Sequence, residues 1–112
     1  MYDPTEQNLI GLQPDVYECA VYLINAYRGA GYPAIITSGV RTLQRQQELI
    51  LSGQTTAQRS HHLTGRAIDI GFAGINSAPW DWYAAGGALW ESMGGRWGGR
   101  FSTPDPVHFD GG

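Results

Sequence analysis

Three stretches of the chain carry the apolar spacing that is typical of amphipathic helices. The first begins at Pro14 and ends at Gly29, since proline is favoured in a first helical turn and glycine after a last one. The second spans residues 42–52, with a threonine that can cap its first turn. The third lies between Pro79 and Met93 and has two glycines in its middle. These patterns predict about three helices.

Apolar and β-branched segments outside these helices predict short strands. They lie at residues 34–38, 66–72 and 107–110. Pro104 and Pro106 exclude a helix immediately before the last of them. Helices and strands therefore alternate along 112 residues, too short a chain for two domains. We predict one α+β domain, residues 1–112, in which a small antiparallel sheet is flanked by about three helices.

Charge and composition limit the binding partners and the cellular location that we expect for this chain. The net charge is −3 and no basic stripe is present, so we expect no nucleic-acid partner. The apolar runs are too short to cross a membrane, and no secretory signal pattern precedes residue 14. Cys19 is the single cysteine, which excludes an intramolecular disulfide. We expect a monomer that is synthesised in the cytoplasm and needs another component to release it from the cell.

The chain's histidines occur in two clusters, each beside a carboxylate. His61 and His62 precede Asp69, and His108 follows Asp105 by three residues. A catalytic zinc ion takes three protein ligands of the imidazole or carboxylate type and leaves a fourth position for water. His62, Asp69 and His108 can supply those ligands. Asp105 then remains as a candidate general base, a role that suits an unliganded carboxylate beside a metal.

Each of these residues also has a structural interpretation. His62 and Asp69 can instead be a core histidine and a buried hydrogen-bond acceptor, and Asp105 can be a turn residue between prolines. Arg41 lies between a strand and a helix, where its guanidinium can hold a substrate carboxylate or carbonyl oxygen or can simply face solvent. His61 is expected to point away from the metal if the backbone there is extended.

The combined motifs resemble one peptidase family. The pattern Ser-x-His-x-x-Gly-x-Ala-x-Asp is intact at residues 60–69, Ser-Gly-Val-Arg occurs at 38–41, and Asp-x-x-His-Phe occurs at 105–109. This set is similar to that of the zinc D-Ala-D-Ala carboxypeptidases and L-alanyl-D-glutamate endopeptidases, the VanY/VanX-like LAS peptidases. The resemblance extends from about residue 35 to residue 110, which is most of the chain.

The resemblance implies a small zinc peptidase that acts on the stem peptides of bacterial peptidoglycan, with Zn²⁺ in a cleft on the sheet. Transferred position by position, His62, Asp69 and His108 are the metal ligands. Asp105 is the catalytic base, and Arg41 stabilises the substrate or the tetrahedral intermediate. Gln46 and His61 receive no role.

Within the family, the turn at residues 97–99 and an aspartate at position 105 resemble the phage-endolysin-like L-alanyl-D-glutamate branch. The chain departs from that branch at Arg100 and Asp110, and we expect both departures to affect substrate preference rather than hydrolysis. The expected site of action is the cell wall, reached after phage lysis or holin-type release. The alternatives are a D-Ala-D-Ala or L,D-carboxypeptidase, a zinc-stabilised binding module without turnover, and a closed structural metal site.

Overall fold

The computed structural model describes residues 3–40 and 65–111. Its helices are α1 (Thr5–Leu9), α2 (Pro14–Gly29) and α3 (Trp80–Ser92), and its strands are β1 (Ala34–Ser38), β2 (Ala67–Phe72), β3 (Arg96–Trp97) and β4 (His108–Asp110). A short 3₁₀ helix, Gly98–Arg100, follows β3. The helix predicted at residues 42–52 lies outside the described residues. None of the helices in the described part combines the length and apolar character that crossing a membrane needs.

The four described strands form one sheet in the order β1-β2-β4-β3. Every neighbouring pair is antiparallel. The central pairing, β2 with β4, joins residues that are about 40 positions apart in the chain and sets Ile68 opposite Phe109. The predicted α+β architecture with a small antiparallel sheet is therefore confirmed.

One face of the sheet forms the core with α2 and α3. Alternate residues along β2 and β4 point to this face, and Ile68, Ile70 and Phe109 are at most 1% exposed. The apolar stripe of α2 packs against them, as its spacing predicted. The residues between these apolar ones, including Asp69 and His108, therefore lie on the opposite face of the sheet.

One α-helix and one strand among the described elements were missed by the sequence analysis. β3 lies inside a glycine-rich segment with turn composition, where two residues are too few to show a strand pattern. α1 is a five-residue helix that attaches to the edge strand β1. Ile36 donates its N–H to Thr5 Oγ1 at 2.9 Å and accepts a hydrogen bond from Asn8 Nδ2 at 2.9 Å. α1 therefore satisfies backbone groups of β1, which is an edge strand among the described strands.

The two glycines within α3 permit close packing. A Cβ on Gly86 would lie 2.0 Å from the Tyr27 hydroxyl, and a Cβ on Gly87 would lie 2.3 Å from the Trp97 ring. Glycine costs about 1 kcal/mol relative to alanine inside a helix. That cost is accepted here because the absence of side chains lets α3 approach α2 and β3 closely.

We expect Gly87→Ala to lower the free energy of unfolding by at least about 1 kcal/mol, because overpacking against the Trp97 ring outweighs the gain in helix propensity. The control is Gly29→Ala in α2, where a Cβ meets nothing within 4 Å. It should leave stability unchanged or raise it by up to about 1 kcal/mol. Urea denaturation measures both. Equal stability of the two variants would contradict this account of α3 packing.

Candidate metal centre

The pairing of β2 with β4 brings Asp69 and His108 together. The two residues are direct partners in the antiparallel register. His108 Nδ1 lies 3.6 Å from Asp69 Oδ1, and the two side chains are 13% and 22% exposed. Both lie on the sheet face opposite the core, because their neighbours Ile68 and Phe109 point into the core. Two predicted ligands, 39 positions apart by their numbering, therefore face each other across one pair of strands.

This pair fits the requirements of a zinc ion. Nitrogen and oxygen ligands at zinc bond lengths of about 2.0–2.2 Å are separated by about 3.3 Å in a tetrahedral site. The observed 3.6 Å needs only a small adjustment. Residues 3–40 and 65–111 alone contain no group of three or more ligating side chains placed to hold a metal. The third predicted ligand, His62, lies outside these ranges.

The second ring nitrogen of His108 contacts a buried carboxylate. His108 Nε2 lies 2.7 Å from Asp110 Oδ2. Burial of the His108 ring opposes its protonation, but the hydrogen bonds and charges of Asp110 and Asp69 together outweigh burial and raise the pKa of His108 to about 9. Metal-ligating histidines commonly use their second nitrogen in this way.

The Asp110 contact was not predicted. Position 110 was expected to affect substrate preference, whereas its carboxylate contacts His108. A strand places residues i and i+2 on the same face, so the two-residue separation of His108 and Asp110 was the available signal. The other departure, Arg100, pairs with Glu91 of α3 through two nitrogens at 2.8 and 3.0 Å. That pair joins the 3₁₀ helix to α3.

Asp105 lies at the start of the turn that leads into β4. Its carbonyl oxygen accepts the His108 N–H at 3.1 Å, and its own N–H donates to Gly98 O at 2.9 Å. Trp97 Nε1 donates to Pro106 O at 2.8 Å, which fixes the middle of the same turn. Asp105 is solvent-exposed. The turn therefore connects the predicted base to the predicted ligand His108 through a short, hydrogen-bonded stretch of backbone.

The described part of the histidine motif begins at Gly65. This residue has φ +74°, a conformation that glycine adopts readily, as expected for a tight turn before β2. A Cβ here would lie 2.7 Å from Gly11 O, so the turn also packs against the segment before α2. Arg41, Gln46, His61 and His62 lie outside the described residues.

A cavity of about 610 Å³ adjoins Asp69 on the sheet face opposite the core. Thr37 of β1 and Gly71 of β2 form part of its wall, and the turn after β2 contributes Ile75 and Asn76. A groove bordered by a carboxylate and by small or apolar side chains is large enough for a short peptide segment.

Comparison with known proteins identifies relatives of this chain. A family model described as D-alanyl-D-alanine carboxypeptidase matches residues 53–111, just over half of the chain. The L-alanyl-D-glutamate peptidase of Listeria phage A118 is 27% identical over 106 residues, which cover 90% of this chain and 38% of the phage protein. This chain thus spans less than half the length of that relative.

Solved structures share the fold. The Serratia marcescens L-Ala D-Glu endopeptidase ChiX is 34% identical with a TM-score of 0.75, and the match covers 95% of this chain and 84% of ChiX. The vancomycin resistance D,D-pentapeptidase VanY of a VanB-type cassette, determined in complex with Zn(II), is 23% identical with a TM-score of 0.67. That match covers 90% of this chain and 73% of VanY, and at this identity it supports the fold alone.

We expect Gly98→Ala to disturb the turn at residues 105–108, because the added Cβ would lie 2.1 Å from Asp105 O and 3.0 Å from His108 Cβ. The cost of such overpacking is about 1–3 kcal/mol. Backbone amide resonances of Asp105 and His108 should shift in a ¹H–¹⁵N spectrum. Ser102→Ala, at an exposed position of the same loop, is the control and should leave both resonances in place. Unshifted resonances in Gly98→Ala would contradict the packing described for this turn.

Proposed function

Because this chain belongs to the D-alanyl-D-alanine carboxypeptidase family of peptidases, we propose that it is a zinc-dependent peptidase of bacterial peptidoglycan. In this proposal it hydrolyses an amide bond in the stem peptide, most readily the L-alanyl-D-glutamate bond. It acts as a monomer on the cell wall, after a phage-type lysis system releases it from the cytoplasm, and it has neither nucleic acid nor membrane as a partner.

The observation that supports this proposal best is the Asp69–His108 pair beside the Asp105 turn. An aspartate and an imidazole that face each other at 3.6 Å are two of the three ligands that a catalytic zinc site needs. The third ligand, His62, is assigned from the motif at residues 60–69. Three protein ligands leave one position for water, which distinguishes a catalytic site from a closed structural one.

Asp105 and Arg41 each have a role in the proposed hydrolysis. A bound zinc ion would supply Lewis-acid chemistry, lowering the pKa of water so that a nucleophile exists at neutral pH. The Asp105 carboxylate can accept a proton from the attacking water and return it to the leaving amine, a role worth about 10²–10⁴ in rate. Arg41 holds the substrate carbonyl or carboxylate through its planar guanidinium.

The relatives favour an endopeptidase over a carboxypeptidase. ChiX, at 34% identity, is named an L-Ala D-Glu endopeptidase, and the phage relative is named an L-alanyl-D-glutamate peptidase. The alternative, a D-Ala-D-Ala or L,D-carboxypeptidase, is supported by the description of the matching family model. An aspartate at position 105 agrees with the endopeptidase branch.

Digestion of purified sacculi by the zinc-loaded protein should produce new L-alanine C-termini and D-glutamate N-termini, identified by mass spectrometry. Removal of zinc with a chelator should abolish cleavage, and stoichiometric zinc should restore it, because the nucleophile depends on the metal. Release of free D-alanine would instead identify the carboxypeptidase alternative. Failure of the protein to bind a stoichiometric divalent metal would contradict the whole proposal.

Asp105→Asn should retain zinc and the native fold but lose turnover by about 10²–10⁴-fold, because the amide cannot accept the proton from water. Asp81→Asn, a matched substitution at an exposed position in the first turn of α3, should keep wild-type turnover. Initial rates on sacculi and zinc content measure the two effects separately. Undiminished turnover in Asp105→Asn would remove this carboxylate from the mechanism. A zinc-loaded wild-type protein that binds peptidoglycan without cleaving it would indicate the binding-module alternative.

A further inference from the structure

Asp110 is a charged residue that the proposed chemistry leaves without a task. Its side chain is 1% exposed although it lies on the polar face of the sheet. One carboxylate oxygen contacts His108 Nε2 at 2.7 Å. Arg96 Nε contacts Oδ1 at 2.8 Å, and Arg96 Nη2 contacts Oδ2 at 3.0 Å. The carboxylate therefore lies between a predicted metal ligand and a guanidinium.

The backbone around Asp110 holds this arrangement in place. Arg96 of β3 is its direct partner in the antiparallel register. Trp90 Nε1 of α3 donates to the Asp110 carbonyl oxygen at 2.8 Å. A carboxylate is costly to bury unless it is paired and hydrogen-bonded. The planar guanidinium of Arg96 meets this requirement and also fixes the plane of the carboxylate, because it binds both oxygens.

This arrangement determines which nitrogen of His108 is available to a metal. The carboxylate of Asp110, already bound to a guanidinium, can only accept a hydrogen bond, so Nε2 must donate. In the neutral imidazole Nδ1 then carries the lone pair. Nδ1 is the nitrogen that faces Asp69, at 3.6 Å.

We propose that Asp110 is a positioning residue, anchored by Arg96, that holds the His108 ring with Nδ1 directed at the metal position beside Asp69. The inference rests on the proposed zinc function and adds two residues to the site. Neither residue touches the substrate. Their effect is on the affinity and geometry of metal binding, since partners of metal ligands typically contribute 10–100-fold to affinity.

The chain contains a matched control for this interaction. Arg100 and Glu91 form a second bidentate pair, with nitrogen–oxygen distances of 2.8 and 3.0 Å, the same two values as in the Arg96–Asp110 pair. The Glu91 side chain is 30% exposed, against 1% for Asp110, and its described partner is Arg100 rather than a histidine. Comparison of the two pairs therefore separates the effect of losing a bidentate arginine pair from the effect of losing the contact with His108.

Competition with a chromophoric chelator measures zinc affinity for the wild type, Asp110→Asn, Arg96→Gln and Glu91→Gln. The zinc Kd should rise about 10–100-fold in Asp110→Asn and in Arg96→Gln, and it should stay within about twofold of the wild-type value in Glu91→Gln. Urea denaturation of the metal-free proteins tests whether each variant folds. If Asp110→Asn does not fold, Arg96→Gln decides the question, because the Arg96 side chain is 53% exposed and the His108 contact stays available.

A purely structural role would lower the stability of the variants and leave the zinc affinity of the folded protein unchanged. In the zinc-loaded wild type, the Nε2–H proton of His108 should give a slowly exchanging, downfield resonance. This resonance should move upfield or exchange faster in Asp110→Asn and remain unchanged in Glu91→Gln. Wild-type zinc affinity in a folded Asp110→Asn or Arg96→Gln variant would overturn the inference, whether or not the resonance moves. Failure of the wild type itself to bind zinc would instead overturn the proposed function, and the two failures are therefore distinguishable.

Discussion

The antiparallel pairing of β2 with β4 is the constraint on which the rest of the structure depends. It sets Asp69 opposite His108 and, through the same alternation, sends Ile68 and Phe109 into the core. A slip of one residue would exchange the two faces of either strand. Burial of the apolar residues therefore fixes the register of the two strands, and this register sets the positions of Asp69 and His108.

A second constraint is the burial of charge next to this pair. Asp110 lies on the polar face of β4 but is almost fully enclosed, and its ion pair with Arg96 makes that enclosure tolerable. The short strand β3 is what supplies Arg96 in register. The same strand places Trp97 in the core. Its ring fits there because Gly87 has no side chain. Two residues of β3 thus connect the packing of α3 to the surroundings of His108.

Much of the fold could be predicted from periodicity, and particular exceptions show why the rest could not. β1 begins and ends as predicted, and α2 begins at Pro14 and ends at Gly29, because apolar spacing, proline and glycine all agree there. For α1, apolar spacing and terminal residues do not together indicate a helix. Its stability depends on hydrogen bonds to β1, and no local sequence pattern predicts that contact. Asp69, Asp105 and His108 could be singled out by residue type and spacing. The contact of Asp110 with His108 could not be inferred with the same force, since it needs Arg96 from another strand to make burial of the carboxylate acceptable.

In the proposed function, the residues of hydrolysis are separate from the residues that border the peptide-sized cavity. The predicted ligands Asp69 and His108 and the predicted base Asp105 lie on β2, on β4 and in the adjoining turn, where backbone hydrogen bonds hold each position. The cavity beside Asp69 is bordered instead by Thr37, Gly71 and the turn after β2. Substitutions along that border change the shape offered to a peptide without moving the Asp69–His108 pair. A family with this division can keep one hydrolytic centre while its members cut different bonds, which is why the motif at residues 60–69 predicts the reaction more firmly than it predicts the substrate.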